Sequence, residues 1–153
     1  MTNFTSVSEN IYIYFREGGS QISGANPCQT GAEYRAKNRE IKYQIKQDGK
    51  TVGGLVIKVD GDKGDLELLF VLPKVHSKGI GYAAWCAVEK LHPEVKVWET
   101  VTPYFEKRNI HFYVNRCGFH IVEFFNKHHP EPNETETCND EFEEMFRFEK
   151  IMR

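Results

Sequence analysis

The chain has 153 residues, of which 40% are hydrophobic and 27% charged, and its net charge is −2 at pH 7. This length is typical of a single domain spanning residues 1–153, and the 13% of aromatic residues excludes a chain that is disordered throughout. The charge lacks the basic excess of a nucleic-acid-binding protein, and no apolar run reaches the roughly 18 residues of a membrane span.

The first residues and the cysteines indicate the compartment. Residues 1–5 have neither a basic start nor an apolar stretch, so we expect no signal peptide and a cytoplasmic protein. The cysteines are too far apart for a metal or redox pair and are expected to be free thiols: Cys28, Cys86, Cys117 and Cys138. The pair His128 and His129 lies in a polar loop without compact ligand spacing, so no metal site is predicted.

The N-terminal third carries the weakest signals. Residues 1–10 are polar and are expected to lead into the fold. Residues 11–15 are β-branched and aromatic, which predicts a strand, and residues 29–39 are assigned a short helix.

The middle of the chain predicts an antiparallel meander of three strands. Apolar residues alternate over residues 41–45, and Asp48 with Gly49 is typical of a hairpin turn. A second strand is predicted over residues 52–60 and a third over residues 65–72. The third ends in the continuous apolar run 68–72, which indicates a strand buried on both faces.

The C-terminal half alternates helices and strands. The predicted elements are, in order, a helix over residues 82–91, a strand over 95–101, a turn of helix opened by Thr102 and Pro103, a helix over 109–117 capped by Gly118, and strands over 119–125 and 145–151. The strands that flank the first helix are expected to run parallel. The fold class is therefore α+β, with a mixed sheet flanked by helices.

Residues 72–81 join a strand to a helix through a loop with two lysines and two glycines. The N–H groups at a helix N-terminus bind anions, and Gly79 and Gly81 have no side chain to keep a phosphate from the backbone. The spacing is neither that of a phosphate-binding loop with Gly-Lys-Ser/Thr nor that of a dinucleotide fingerprint. The segment predicts a phosphate or pyrophosphate site.

Two motifs resemble those of the GCN5-related N-acetyltransferases (GNAT). His76-Ser77-Lys78-Gly79-Ile80-Gly81 is similar to the family's coenzyme A loop, [Gln/Arg]-x-x-Gly-x-[Gly/Ala], with His76 in place of Gln or Arg. Phe112-Tyr113, followed by Gly118-Phe119, is similar to the family's late F-Y-x-x-x-G-F, with one extra residue before the glycine. The resemblance covers about residues 40–151 and implies the GNAT-like acyl-CoA N-acyltransferase fold.

The resemblance also implies direct acetyl transfer from acetyl-CoA to an amine, without a metal or an acyl-enzyme. Tyr113 would protonate the leaving sulfur, and Glu67 would be the base, with Glu99 as its competitor. Asn109 would bind the cofactor or serve only as a helix N-cap. The other residues implied in cofactor binding are Phe70, Val71, Leu72, His76, Ser77, Lys78, Gly79, Ile80 and Gly81.

Two alternatives to this enzyme stay open. One is a non-catalytic acyl-CoA-binding module of the same fold, and the other is a regulatory domain that binds a different phosphate ligand. The acceptor is open between small-molecule and peptide amines, and a homodimer is open because family members are often dimers.

Overall fold

The computed structural model describes residues 4–8, 11–15, 39–75, 79–132 and 144–153. The strands are β1 (Phe4–Ser8), β2 (Ile11–Phe15), β3 (Arg39–Gln47), β4 (Lys50–Asp60), β5 (Lys63–Val71), β6 (Val97–Pro103), β7 (His120–Phe125) and β8 (Met145–Ile151). The helices are α1 (Ile80–Leu91) and α2 (Lys107–His111), and α2 continues into a π-helical turn, Phe112–Arg116. A 3₁₀ turn, Pro73–Val75, follows β5.

All eight strands form one mixed sheet in the order β1-β2-β3-β4-β5-β6-β8-β7. Its pairings are antiparallel except for β5 with β6, which run parallel as expected for strands that flank a helix. The sheet and the helices confirm the α+β prediction of a mixed sheet covered by helices.

The N-terminal prediction is only partly correct. Ile11–Phe15 is a strand as predicted, but Phe4–Ser8 is a strand as well and not a polar lead. β1 forms through backbone pairing with β2. A polar segment that pairs in this way shows little hydrophobic periodicity, so its residue types do not predict the strand. Of the helix predicted over residues 29–39, residues 29–38 lie outside the described residues, and Arg39 is the first residue of β3.

The meander β3-β4-β5 is confirmed, together with its first turn. Asp48 and Gly49 both have positive φ, at 51° and 79°, as a two-residue hairpin of the right twist requires. The strands are longer than predicted at their turns, because hydrogen bonding continues through polar residues such as Lys50 and Lys63.

The expectation that residues 68–72 are buried on both faces is wrong. Leu68 and Phe70 are each 49% exposed, whereas Leu66 is buried and Leu69 and Val71 are half-buried. No described element packs on the face that carries Leu68 and Phe70, which we call the outer face. The other face, called the helix face, holds the core.

Both helices pack on the helix face. The Trp85 ring of α1 meets the Trp98 ring of β6 edge-on, with their centroids 5.0 Å apart. Gly64 makes room for Trp98, since a Cβ at Gly64 would lie 2.4 Å from the indole. The π turn adds Tyr113, whose ring packs against Phe148 at 5.6 Å.

Two predicted helix starts are displaced. α1 begins at Ile80, two residues before its prediction, with Gly79 at its N-cap position. Thr102 and Pro103 end β6 instead of opening a helix, because they pair with β8, and α2 then begins at Lys107. Within the described residues, no helix is long and apolar enough to cross a membrane.

Candidate active site

A gap opens between β5 and β6 and organises the site. The two strands pair over only three positions, the last being Asp65 opposite Glu99. One step further, the Thr100 hydroxyl still donates to the Leu66 carbonyl oxygen at 2.9 Å. Beyond it, the strands are no longer paired with each other. We call this opening the strand gap.

A cavity of about 400 Å³ lies on the helix face beside the strand gap. Its walls come from β5, from the start of α1, and from α2 with the π turn. The lining residues are Leu69, Val71, Val75, Gly79, Ile80, Gly81, Tyr82, Arg108, Asn109, His111, Phe112, Tyr113 and Arg116.

The start of α1 forms one wall of this cavity. Gly79 has φ of 74°, and its carbonyl accepts the first intrahelical bond from the Ala83 N–H at 2.9 Å. The N–H groups of residues 80–82 therefore have no acceptor within the helix and can bind an anion. A Cβ at Gly81 would lie 3.6 Å from the Phe112 ring and 3.7 Å from Val71, so this glycine faces the cavity.

Three residues of the predicted cofactor loop, His76, Ser77 and Lys78, lie outside the described residues. Gly79, Ile80 and Gly81 are described, and all three line the cavity. The structure thus brings the glycines of the loop to the same cavity as Tyr113 and Asn109.

The backbone of β5 limits which residues can bind a cofactor carbonyl. The Leu72 N–H donates to the Val52 carbonyl at 2.8 Å, and the Leu72 carbonyl accepts from the Val75 N–H at 3.0 Å. Both backbone groups of Leu72 therefore already have a hydrogen-bond partner within the fold, and its role in cofactor binding stays a prediction. Antiparallel pairing alternates, so Phe70 also turns its backbone groups toward β4.

The same alternation turns the backbone of Leu69 and Val71 toward the strand gap. Leu69 was missed in the sequence because a backbone direction depends on the pairing register, which residue types do not reveal. Both side chains also line the cavity.

Tyr113 lines the cavity and is buried. Its hydroxyl is hydrogen-bonded to Thr100. Burial raises the pKa of the phenol above its usual 10.0, so the hydroxyl stays protonated at neutral pH.

Asn109 lines the cavity from the first turn of α2. The N-cap alternative is wrong, because Glu106 occupies that position. The Asn109 amide is 3.4 Å from Thr102 Oγ1, a long contact, and the side chain is otherwise exposed to the cavity.

The two carboxylates that were considered as bases are both ion-paired on the outer face. Glu67 contacts Lys58 at 2.5 Å, and Glu99 contacts Arg147 at 3.0 Å. A third carboxylate, Asp65, lies beside them, and sequence reasoning missed it because only the register places it opposite Glu99. Desolvation, Glu99 and Glu67 raise the pKa of Asp65 above its ordinary 3.8.

Basic side chains gather at the cavity on α2 and the π turn. Arg108, His111 and Arg116 all line it, and the Arg116 guanidinium lies 5.1 Å from the centroid of the Tyr82 ring. The sequence analysis did not single out these three residues. A helix that continues through residues 108–116 would nevertheless place several of them on the same side of the helix. They suit a ligand with several phosphate charges.

The remaining candidates do not form a site in the described part of the chain. Cys117 is buried, and desolvation raises its thiol pKa to about 12, while Cys86 is half-buried. Cys28 and Cys138 lie outside the described residues. No group of three metal-ligating side chains occurs among the residues described, and His129 instead hydrogen-bonds Glu123 at 2.8 Å.

Comparison with known sequences identifies a family and a relative of this chain. The sequence profile of the acetyltransferase (GNAT) family matches residues 11–119. The uncharacterized protein YrkN of Bacillus subtilis (strain 168) is 50% identical over 123 residues, which are 74% of this chain and 65% of that protein. This chain thus spans less than two thirds of the length of that relative.

Two solved structures are similar in fold. A GNAT family acetyltransferase from Elizabethkingia anophelis with acetyl-CoA bound has a TM-score of 0.66 and 18% identity, covering 95% of this chain and 100% of that one. An acetyl transferase from Salmonella typhimurium that modifies the N-terminal serine of 50S ribosomal subunit protein L7/L12 has a TM-score of 0.70 and 8% identity, covering 99% and 100%.

Proposed function

The chain belongs to the acetyltransferase (GNAT) family, and from this premise we propose that it transfers the acetyl group of acetyl-CoA directly to a primary amine. One observation carries the proposal. The start of α1, Leu69, Val71 and Tyr113 all line one cavity beside the strand gap. An anion site, a hydrogen-bond donor and a proton donor therefore lie along one path.

The cofactor would lie along that path. Its pyrophosphate binds the N–H groups of residues 80–82, with Gly79 and Gly81 allowing close approach and His76, Ser77 and Lys78 completing the loop. The pantetheine arm runs beside Leu69 and Val71, and Asn109 donates to it from α2. Arg108 and Arg116 neutralise the outer phosphates.

The chemistry then needs three groups. The backbone N–H of Leu69 stabilises the negative oxygen that forms on the thioester carbonyl. Tyr113 turns its O–H from Thr100 to the leaving sulfur and protonates it. A carboxylate on the outer face takes the proton of the amine, and Glu67 and Glu99 lie on that face in their ion pairs.

The acceptor is proposed to be a small-molecule or peptide amine that reaches the thioester from the outer face, since the cofactor fills the helix face. Leu68 and Phe70 are exposed on that side and offer apolar contact to the acceptor. The reaction uses no acyl-enzyme, because the amine attacks while both substrates are bound.

An acceptor screen tests the proposal. The protein is incubated with acetyl-CoA and, in turn, spermidine, benzylamine, an Nα-blocked lysine and a serine-initiated peptide, and thiol release is followed together with the mass of the amine. We expect thiol release that depends on one of these amines and matches its acetylation. Tight binding of acetyl-CoA without transfer to any amine would favour the non-catalytic acyl-CoA-binding alternative.

A further inference from the structure

We propose that the acceptor of this chain is a monoamine that carries an apolar alkyl or arylalkyl group, an inference that rests on the acetyl transfer proposed above. The nitrogen of such an amine would lie at the strand gap, and its apolar group would lie along the outer face of β5. The outer side of the gap has both parts that this ligand needs, because its closed end carries carboxylates and its open end carries apolar side chains.

Apolar side chains border the open end of the gap on both strands. Thr100 and Thr102 of β6 are buried on the helix face, so the alternation of side chains places Val101 between them on the outer face. Across the gap, β5 presents Leu68 and Phe70 on the same face, and each is 49% exposed. An amine that reaches the gap from the outer face would therefore pass between apolar walls.

The Phe70 ring lies toward β4, the strand on the side of β5 away from the gap. A Cβ at Gly54 of β4 would lie 3.0 Å from Phe70 Cε1 and 3.2 Å from Cζ, so the ring rests on the bare backbone of this glycine. The sheet thus supports one face of the ring, while about half of the residue is exposed. Between Leu68 and Phe70 the strand rises ~7 Å, which suits a hexyl or phenylethyl group.

The carboxylates at the closed end of the gap suit one ammonium group. Asp65 and Glu99 form the last register pair of β5 with β6. Glu67 and Glu99 already bind cations, Lys58 at 2.5 Å and Arg147 at 3.0 Å, so this end is not suited to several further positive charges. A polyamine would place its other charges against the apolar walls, where a charge loses water and gains no partner. A monoamine avoids this cost.

The apolar group changes the affinity for the acceptor and leaves the chemistry of the transfer unchanged. The nitrogen lone pair forms the C–N bond to the thioester carbon, the C–S bond breaks, and its electron pair leaves with sulfur, which takes one proton. The alkylammonium loses two protons in all, so one proton is released to solvent for each acetyl group transferred.

The test is a series of unbranched amines from ethylamine to hexylamine, with putrescine and spermidine for comparison. Because these alkylamines differ only in length, a trend in kcat/KM reports on the surface that their tails contact. We expect kcat/KM of the wild-type protein to rise about two- to fourfold for each added methylene, the scale on which burial of a methylene contributes.

Phe70→Ala should reduce this rise to less than about twofold per methylene, while kcat/KM for ethylamine and the affinity for acetyl-CoA stay at their wild-type values. Phe70→Leu retains an apolar side chain and should keep most of the rise. Ile121→Ala is the matched control, because Ile121 is 45% exposed on β7, which β6 and β8 separate from the gap.

A kcat/KM that does not rise with chain length, a preference for putrescine or spermidine, or an unchanged rise in Phe70→Ala would overturn the inference and leave the proposed acetyl transfer intact. Binding of acetyl-CoA without transfer to any amine is a different result. It would refute the proposed function, and the inference with it.

Discussion

The backbone N–H of Cys117 donates to the carbonyl of Phe112, five residues earlier, at 3.0 Å. This bond closes the π turn, which holds one residue more than an α-helical turn. The turn therefore absorbs the extra residue between Tyr113 and Gly118 relative to the F-Y-x-x-x-G-F motif. The Phe119 N–H still reaches the Tyr113 carbonyl at 2.9 Å, and Gly118 ends the helix with φ of 80°.

The position of Tyr113 predicts a selective loss in Tyr113→Phe. The ring contacts with Phe119 and Phe148 are retained, while the proton for the leaving sulfur is lost. We expect turnover to fall ~10²-fold with nearly unchanged affinity for acetyl-CoA. Steady-state kinetics and calorimetry measure the two quantities, and Tyr104→Phe, an exposed tyrosine outside the cavity lining, is the control. Wild-type turnover in Tyr113→Phe would exclude the role.

The position of Gly81 in the cavity predicts how a negative charge in the cofactor loop would change the affinity for acetyl-CoA. Its backbone φ is not positive, and a Cβ would make only ordinary contacts at 3.6 and 3.7 Å, so Gly81→Ala should fold normally. Gly81→Asp adds a carboxylate where the pyrophosphate is proposed to bind, and we expect at least a tenfold weaker Kd for acetyl-CoA, equivalent to ~1.4 kcal/mol. Equal calorimetric affinities for acetyl-CoA in the Ala and Asp variants would show that the pyrophosphate does not bind at this position.

Cys117 is expected to be unreactive in the folded protein. With a pKa of about 12 its thiol is protonated at neutral pH, and the thiolate is the reactive form. Iodoacetamide should modify it much more slowly in the native protein than in denaturant, as followed by peptide mass spectrometry. Labelling at the unfolded rate, or an acetylated Cys117 after incubation with acetyl-CoA, would contradict both this environment and direct transfer.

The ion pairs of Arg147 predict that the stability of the protein depends on pH. It pairs with Glu99, Glu123 and Glu149, and hydrogen bonds from His129 and Arg147 lower the pKa of Glu123. A lowered pKa contributes stability above the unfolded-state pKa and loses it as pH falls through the folded-state value. Arg147→Met should therefore lower Tm more at about pH 7.5 than at about pH 3, as Glu123 becomes protonated and loses its charge.

The control for this comparison is Arg153→Met, which removes an exposed arginine at the end of the chain. Its Tm should match that of the wild-type protein at both values of pH. A deficit of Arg147→Met that is the same in acid and at neutral pH would show that the ion pairs do not contribute as proposed.

Sequence and structure agree where local chemistry decides the outcome. The turn at Asp48 and Gly49, the meander and the last strand, Met145–Ile151, follow from residue types and alternation. The exposure of Leu68 and Phe70 did not follow, because the elements that cover a strand face are set by the tertiary fold. The turn of helix predicted at Thr102 and Pro103 is wrong for a related reason, since pairing with β8 extends β6 through Pro103.

The candidate site residues also divide into those that short motifs predict and those whose positions depend on the tertiary fold. The glycines beside α1 and Tyr113 were found because they belong to short motifs, and both line the cavity. The positions of Leu69 and Asp65 were not predicted because they depend on register, which decides whether a backbone faces the strand gap and which carboxylates lie side by side. The backbone bonds of Leu72 to Val52 and Val75 also depend on the tertiary fold and cannot be predicted from the residue type.

The most direct test of the account is the crystal structure of this protein with acetyl-CoA bound. The account predicts the thioester in the strand gap, its carbonyl oxygen about 3 Å from the Leu69 N–H, its sulfur next to the Tyr113 hydroxyl, and its pyrophosphate on the N–H groups of residues 80–82. A thioester bound away from the gap, with Tyr113 still bonded only to Thr100, would contradict it.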